Sequence, residues 1–416
     1  LEDLYGDTLL YAKSLTAGVN WLNPFNKVIR LNAINLNEGY FHLYFDSTNT
    51  INLQFILNLL KSGGDSSKTG WMTQFNNIKL KKSRFILELY PFKEKEYGIN
   101  FTSMRLSDIN ANLSHFVPSK DSTSFKIRSL SFKEESGFVT DKLKADFSLS
   151  KHFLKLHNIT IETPSSGISC KKVELLFKNW QDFKEGGFYE NVTLITDINN
   201  SHLYLADLGY FAPVFKNMDQ RIYIAGKTKG TVNNLKVKDI DIRFGKNSLI
   251  QGNLGITGLP VFKESFIIAD FKQFRTTIED ISAIRLPQNK SISLNERLNQ
   301  LGTITYKGNF TGFLNDFVAY GTFRTSLGII TSDLLIKPDT ADYLSFNGKV
   351  TAQNFNLGTL INKQENVGQI TMVVNAKGNY SPHNLILDLK GLISSISINN
   401  YQYQNIEITG LLNNKA

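Results

Sequence analysis

Six histidines and one cysteine are the residues of this 416-residue chain with the readiest chemistry, and their spacing argues against most of it. His42, His115, His152, His157, His202 and His383 form no His-Glu-x-x-His pattern, and a single cysteine cannot make the Cys pair of a zinc site. His152 and His157 flank Leu154 and Leu156 at an odd spacing, which turns them to opposite faces of a strand; both read as surface residues. Glu134 and Glu135 are the paired carboxylates that glycoside hydrolysis uses. Adjacent strand residues also point opposite ways, and with Ser136-Gly137-Phe138 behind them they predict a solvated turn. Cys170 has no histidine assignable as its base and reads as a small buried residue. Gly-x-Ser-x-Gly is missing, and the run Lys61-Ser-Gly-Gly-Asp-Ser-Ser-Lys-Thr-Gly70 lacks the order of a phosphate loop. Nothing here signals an enzyme, a cofactor or a metal site.

The elements that must position these side chains are written in a recurrent phrase: apolar, any, apolar, any, polar or small, apolar, any, apolar. It reads Ile29-Arg-Leu31-Asn-Ala33-Ile34-Asn-Leu36 and Met104-Arg-Leu106-Ser-Asp108-Ile109-Asn-Ala111. Phe125-Lys-Ile127-Arg-Ser129-Leu130-Ser-Phe132 and Leu154-Lys-Leu156-His-Asn158-Ile159-Thr-Ile161 repeat it. Ile168–Leu175, Leu235–Ile242, Val350–Leu357 and Tyr401–Ile408 fit the same template. Each half alternates with period two, the mark of a strand with one apolar and one polar face. Between the halves the parity slips by one, so a bulge or a sharp corner must keep the apolar set on one side. Repeated over hundreds of residues, this predicts an all-β chain with one continuous apolar face.

Composition agrees. Apolar residues make up 41% of the chain, enough for a sizeable core, and only nine prolines interrupt it. The formal charge of +9 is spread over the polar phase of the strands. That distribution suits a solvated outer face or attraction to anionic lipid headgroups; no basic run interleaved with stacking aromatics speaks for nucleic acid. One cysteine excludes an internal disulfide, and the longest apolar segment, Leu53–Leu60, is far too short to span a membrane. The chain opens on Leu1 and is expected to be a piece of a longer protein with any anchor upstream.

The expected organisation is an opening unit over 1–61 that closes on a short amphipathic helix at Ile51–Leu60, then a flexible loop at 62–70. Strand repeats over 71–200, a helical segment at 201–218 kinked by Pro213, further repeats over 219–302 and a last block over 303–416 follow. Short helices are expected at Ser201–Lys216, Leu294–Leu301 and Leu357–Asn362. No helix spacing resembles alternating β-α-β units, which argues against a parallel, doubly wound sheet.

In ordered phrases the chain resembles the AsmA-like superfamily, and within it the TamB family in its Bacteroidota form. Gly6-Asp-Thr-Leu-Leu-Tyr-Ala-Lys-Ser14, Ile34-Asn-Leu-Asn-Glu-Gly-Tyr40 and Asn52-Leu-Gln-Phe-Ile56 resemble the opening unit. Ser131–Phe138, Phe147–Ser150 and Ile161–Ser166 resemble the next. Gly308–Phe313 with Ala319-Tyr-Gly321 and Thr325–Gly328 is a third stretch, and Asn400–Ile406 a fourth. The resemblance implies an elongated, U-sectioned antiparallel sheet, the β-taco, with an apolar groove and a few short amphipathic helices. It implies a periplasmic, inner-membrane-anchored envelope protein that reaches toward a TamA-type outer-membrane barrel. Two roles come with it: moving phospholipid between membranes and assisting outer-membrane protein assembly.

The residues expected to line such a groove are Phe85, Leu87, Leu89, Ile127, Leu130, Leu154, Leu156, Leu235, Val237, Ile240, Ile242, Val350, Phe355 and Leu357. Two other classes fit the same pattern. One is a scaffold that offers strand edges to nascent barrel proteins. The other is a dry β-solenoid adhesin, against which the small inward residues Ala33, Ala111 and Ala352 weigh.

Overall fold

Period-two alternation becomes strand through most of the chain. The computed structural model describes all residues except 4–5, 24–27, 47–49, 54–71, 92–94, 119–121, 184–185, 287–289, 293, 341–342, 382–383 and 416. Most of the expected helix at Ile51–Leu60, the loop at 62–70 and His383 lie outside the described residues. The chain divides into two compact units, Leu1–Asp182 with Ile195–Asp219, and Phe183–Leu194 with Gln220–Ala416.

The first unit holds β1 (Leu10–Asn23), β2 (Val28–Phe45), β3 (Met72–Leu89), β4 (Ser103–Pro118), β5 (Ser122–Glu134), β6 (Val139–Ser150), β7 (Phe153–Glu162), β8 (Gly167–Leu176) and β9 (Thr193–Tyr204). From β3 to β8 each strand pairs antiparallel with the next, and β1 pairs antiparallel with β2. The pair β2–β3 is parallel, with Phe41 opposite Phe85 and Leu43 opposite Leu87, an exception to the antiparallel pairing expected of the sheet. A parallel neighbour needs a crossover of a dozen or more residues, and the connection from 46 to 71 is long enough to supply one.

In the second unit β10 (Arg221–Gly230), β11 (Asn234–Phe244), β12 (Ser248–Thr257) and β13 (Phe266–Thr276) form an antiparallel meander. A two-residue hairpin, β14 (Arg285–Leu286) and β15 (Lys290–Ser291), interrupts it. The ladder resumes with β16 (Ile304–Phe313), which pairs with β13. It continues through β17 (Asp316–Thr325), β18 (Gly328–Thr340), β19 (Tyr343–Asn356), β20 (Val367–Ser381), β21 (Asn384–Ile398) and β22 (Tyr401–Lys415). The fold is all-β, mostly antiparallel and unclosed within each unit.

Helices are short and sit in connections. The helix expected over Ser201–Lys216 is shorter: β9 runs through Tyr204, and helix covers Leu205–Gly209, followed by a 3-10 turn at Pro213–Phe215. The strand wins at its start because Ser201 ties to β8 on both sides, its hydroxyl accepting from Ser169 N at 2.9 Å and donating to Ser169 O at 3.1 Å. The expected helix at Leu294–Leu301 is a 3-10 segment, Glu296–Leu301. That at Leu357–Asn362 is a single α turn, Leu357–Leu360, capped by Asn356, whose side chain accepts from Thr359 N at 3.1 Å.

Candidate functional site: the apolar sheet face

The slip in the repeated phrase is a left-handed residue. Asp108, Asn158, Asp239, Asn354 and Asn405 occupy the polar position of their phrases and have φ of 50°, 52°, 52°, 46° and 55°. Asn and Asp tolerate this conformation better than other residues with a Cβ. Register irregularities accompany Asp108, Asp239 and Asn354, where one strand carries extra residues against its partner. The residue after each slip returns to the apolar side: Ile109, Ile159 and Phe355 are buried, Ile240 and Ile406 partly so. A bulge strands a backbone N–H, and side chains on the next strand recover it. Asp239 N donates to Asn253 Oδ1 at 3.2 Å, Asn354 N to Thr371 Oγ1 at 3.1 Å, and Lys82 N, also left-handed, to Asn110 Oδ1 at 3.2 Å. In the Phe125–Phe132 phrase the pairing shifts between Ile127 and Leu130 without a left-handed residue.

With the slips absorbed, register lines the apolar phases up across strands. In the first unit Leu80, Ala111, Leu130, Leu143, Ile161 and Ile168 face one another in series from β3 to β8. Ile78, Leu113, Ile127 and Ala145 form the neighbouring row. Leu154 lies between Leu149 and Leu175, and Leu156 between Phe147 and Val173. Phe85 and Leu87 sit between their β2 partners and Leu106 and Met104, and Leu89 faces Phe45. Ala145, Ile159 and Cys170 are the buried centre of this face, with Ile127, Leu143, Leu156 and Ile161 packed against them.

The second unit repeats the arrangement over eleven strands. Val237, Leu254, Ala269, Phe310, Ala319, Leu334, Gly348, Ala376 and Leu389 form one row. Ile242, Ile250, Phe274, Tyr306, Phe323, Ile330, Ala352, Met372, Ile393 and Ile406 form another. Leu235 and Ile240 belong to parallel rows, and Val350 lies between Ser332 and Val374. Phe355, 3% exposed, and Leu357 join the cluster around Leu327, Ala352, Ile370 and Ile393. The expected lining residues thus share one face within each unit.

Segments between strands are fastened along one lip of these faces. In the first unit Asp207 accepts from Thr163 Oγ1 at 2.7 Å and Ser166 Oγ at 2.6 Å, and Tyr210 O accepts from Ile99 N at 2.8 Å. Phe138, buried, meets the rings of Tyr210 and Phe211. In the second unit Asp280, 6% exposed, accepts from Lys246 N at 2.9 Å, Asn247 N at 2.8 Å and Ser248 Oγ at 2.9 Å. Burial is the largest single influence on this carboxyl and pushes its pKa up, but the three donors together outweigh it and hold the pKa below the usual aspartate value. Leu301, Leu357 and Leu360 carry apolar side chains from such segments onto the sheet.

β16 to β18 pair without bulges, and here two glycines make room for an aromatic ring. Tyr306 lies across Gly308 and Gly321, where a Cβ on Gly321 would stand 2.3 Å from its ring. Its hydroxyl donates to Asn309 O at 3.2 Å and Tyr320 O at 3.0 Å, and burial raises its pKa.

The residues with catalytic potential are occupied structurally. Glu134 is buried, not solvated: its carboxylate accepts from Ser136 N at 2.8 Å and from the Ser136 hydroxyl, which closes the turn. Cys170 is buried at the sheet centre, donates to Lys172 O and Asp197 O at 3.0 Å each, and burial pushes its thiol pKa up. His157 Nε2 meets Glu174 Oε1 at 2.8 Å, and this bond lowers the Glu174 pKa. Among the described residues no three His, Cys, Asp or Glu gather to hold a metal, and no helix is long and apolar enough to cross a membrane. A shallow cavity of about 330 Å³ lies over β18 to β22, where Leu335, Phe346, Ile386 and Leu411 line it beside Lys377 and Asp388.

Comparison with protein-family models, with curated proteins and with solved structures finds no match to this chain.

Proposed function

We propose that the apolar face conducts phospholipid: it shields acyl chains from water while headgroups stay at a lip, without catalysis. The supporting observation is the run of apolar rows across nine and ten successive ladder strands of the second unit, unbroken by a charged side chain. At a strand spacing of about 4.8 Å such a ladder presents roughly 50 Å of apolar surface. Exposing two acyl chains to water costs on the order of 20 kcal/mol, at about 0.8 kcal/mol per CH2, so a carrier must cover them along the whole path. The resemblance to the AsmA-like superfamily supports the same reading. It adds a periplasmic setting, attachment to the inner membrane and a TamA-type partner at the outer membrane.

The test is lipid mass spectrometry on protein purified without detergent from an envelope-containing host. Stoichiometric phospholipid is expected with the wild-type chain, and its loss from Val237→Asp/Val350→Asp protein that keeps its β circular dichroism. A folded wild-type protein free of lipid refutes the proposal.

A further inference from the structure

The polar faces set opposite charges across the ladder. Lys126 faces Asp146, Lys142 faces Glu162, Lys155 faces Glu174, Asp333 faces Lys349 and Lys377 faces Asp388. The β10–β11 hairpin reverses the rule twice, with Lys227 opposite Lys238 and Lys229 opposite Lys236. Like charges directly opposite destabilise a strand pair. Asp239 reaches Lys227 at 3.4 Å, but among the described residues no carboxylate stands within 4 Å of Lys229, Lys236 or Lys238. The next strand offers no relief, since Gly255 lies opposite Lys236 and Asn253 is engaged by the Asp239 amide.

All four lysines are exposed, on a hairpin whose tip is held firmly. Asn234 N donates to Thr231 O at 3.1 Å and to its hydroxyl at 3.2 Å, while Asn233 O accepts from Gly258 N at 2.8 Å. Gly230 has φ of 138°, and a Cβ there would meet Asn234 O at 2.1 Å, so the turn admits little else. The charges are therefore presented on a fixed frame, and three of the four, Lys229, Lys236 and Lys238, have no ion pair among the described residues. Their strands carry Leu235 and Val237 on the other side, so the quartet stands directly behind the apolar row, next to the lip formed by the turn.

We propose that Lys227, Lys229, Lys236 and Lys238 form a binding site for the phosphates of anionic phospholipid headgroups. The proposal rests on the lipid-conducting reading and adds a lipid class to it: tails lie against Leu235 and Val237, and the headgroup crosses the turn to the lysines. Zwitterionic lipids gain less there, because their own cation competes with the lysines for the phosphate.

Vesicle flotation of the whole chain tests it. Phosphatidylcholine vesicles with and without phosphatidylglycerol serve as probes, and tripolyphosphate as the soluble oligoanion. A lysine near an anionic surface contributes about a fivefold gain in partitioning. Lys227→Gln/Lys229→Gln/Lys236→Gln/Lys238→Gln protein is expected to bind phosphatidylglycerol vesicles roughly 600-fold more weakly, and to melt no lower than wild type because two repulsive pairs are gone. Lys126→Gln/Lys142→Gln/Lys349→Gln/Lys377→Gln protein loses the same formal charge and is expected to keep its binding. Equal loss in both variants, or no loss in the quartet variant, overturns the site. Tight tripolyphosphate binding without vesicle binding overturns the headgroup assignment.

Lipid mass spectrometry separates the two readings. A quartet variant that still carries neutral phospholipid but no longer enriches anionic lipid supports the site. A lipid-free wild-type protein refutes conduction, while the vesicle arm still decides the site.

Discussion

Asn354 holds φ of 46°, a conformation that costs most residues with a Cβ about 1–2 kcal/mol and glycine almost nothing. Its amide is already bound to Thr371 Oγ1. Asn354→Gly is therefore expected to melt within about a degree or two of wild type, and Asn354→Val to lose about 1–2 kcal/mol in urea unfolding. If the valine variant is as stable as the glycine one, backbone handedness does not set the slip. This position was legible in the sequence as the polar residue where parity changes, and five phrases show Asp or Asn there in the left-handed region. What the phrase did not show was the partner of each freed amide. Asn110, Asn253 and Thr371 lie 14 to 28 residues from the amides they accept, too far for local spacing to register. Tyr306 over Gly308 and Gly321 escaped for a related reason: its two glycines become one contact only when β16 and β17 pair.

At the scale of elements, the strands announce themselves by period two, whereas the fastening segments have too few residues for any period to develop. The 3-10 segment Glu296–Leu301 and the turn Leu357–Leu360 were locatable from their leucines; the end of β9 was not, because Ser201 is held by β8, some thirty residues earlier. Asp280 carries the clearest consequence. Its folded-state pKa is depressed below the unfolded value of about 3.9, so its contribution is fully present above that pH and is lost as pH falls through the folded-state pKa. Thermal melts from pH 7 down to pH 3 should show a steeper acid-side fall for wild type than for Asp280→Asn, the variant being less stable at pH 7 and converging on wild type in acid. Parallel curves would mean that the carboxylate charge does not hold the Lys246–Ser248 turn.

Across the second unit, every long strand except those at the ends of the ladder pairs with its neighbours in chain order, β13 passing to β16 over the small hairpin. The alternation made this one-faced character readable, and in this unit Val237 and Ile242 fall in its apolar rows, with Leu235 and Ile240 in parallel ones. Register was not readable, since every alternating segment is an equally good partner for any other until turns and bulges choose. Neighbour-only pairing makes stability a sum over adjacent strands, as in a repeat array. Removing residues 401–416 deletes β22, which touches the core chiefly through Ile406 and Ile408, and should leave the remaining strands folded with a modest drop in urea midpoint. Extending the deletion to 384–416 also takes away Ile393, buried in the main cluster, and Ile396, so the second step should cost more than the first. Amide exchange reads where the loss falls: protection should thin first in the strand newly left at the edge and persist in β16 to β18. If removing β22 alone abolishes protection as far back as β16, the unit folds as one cooperative body, and a face assembled strand by strand is the wrong description.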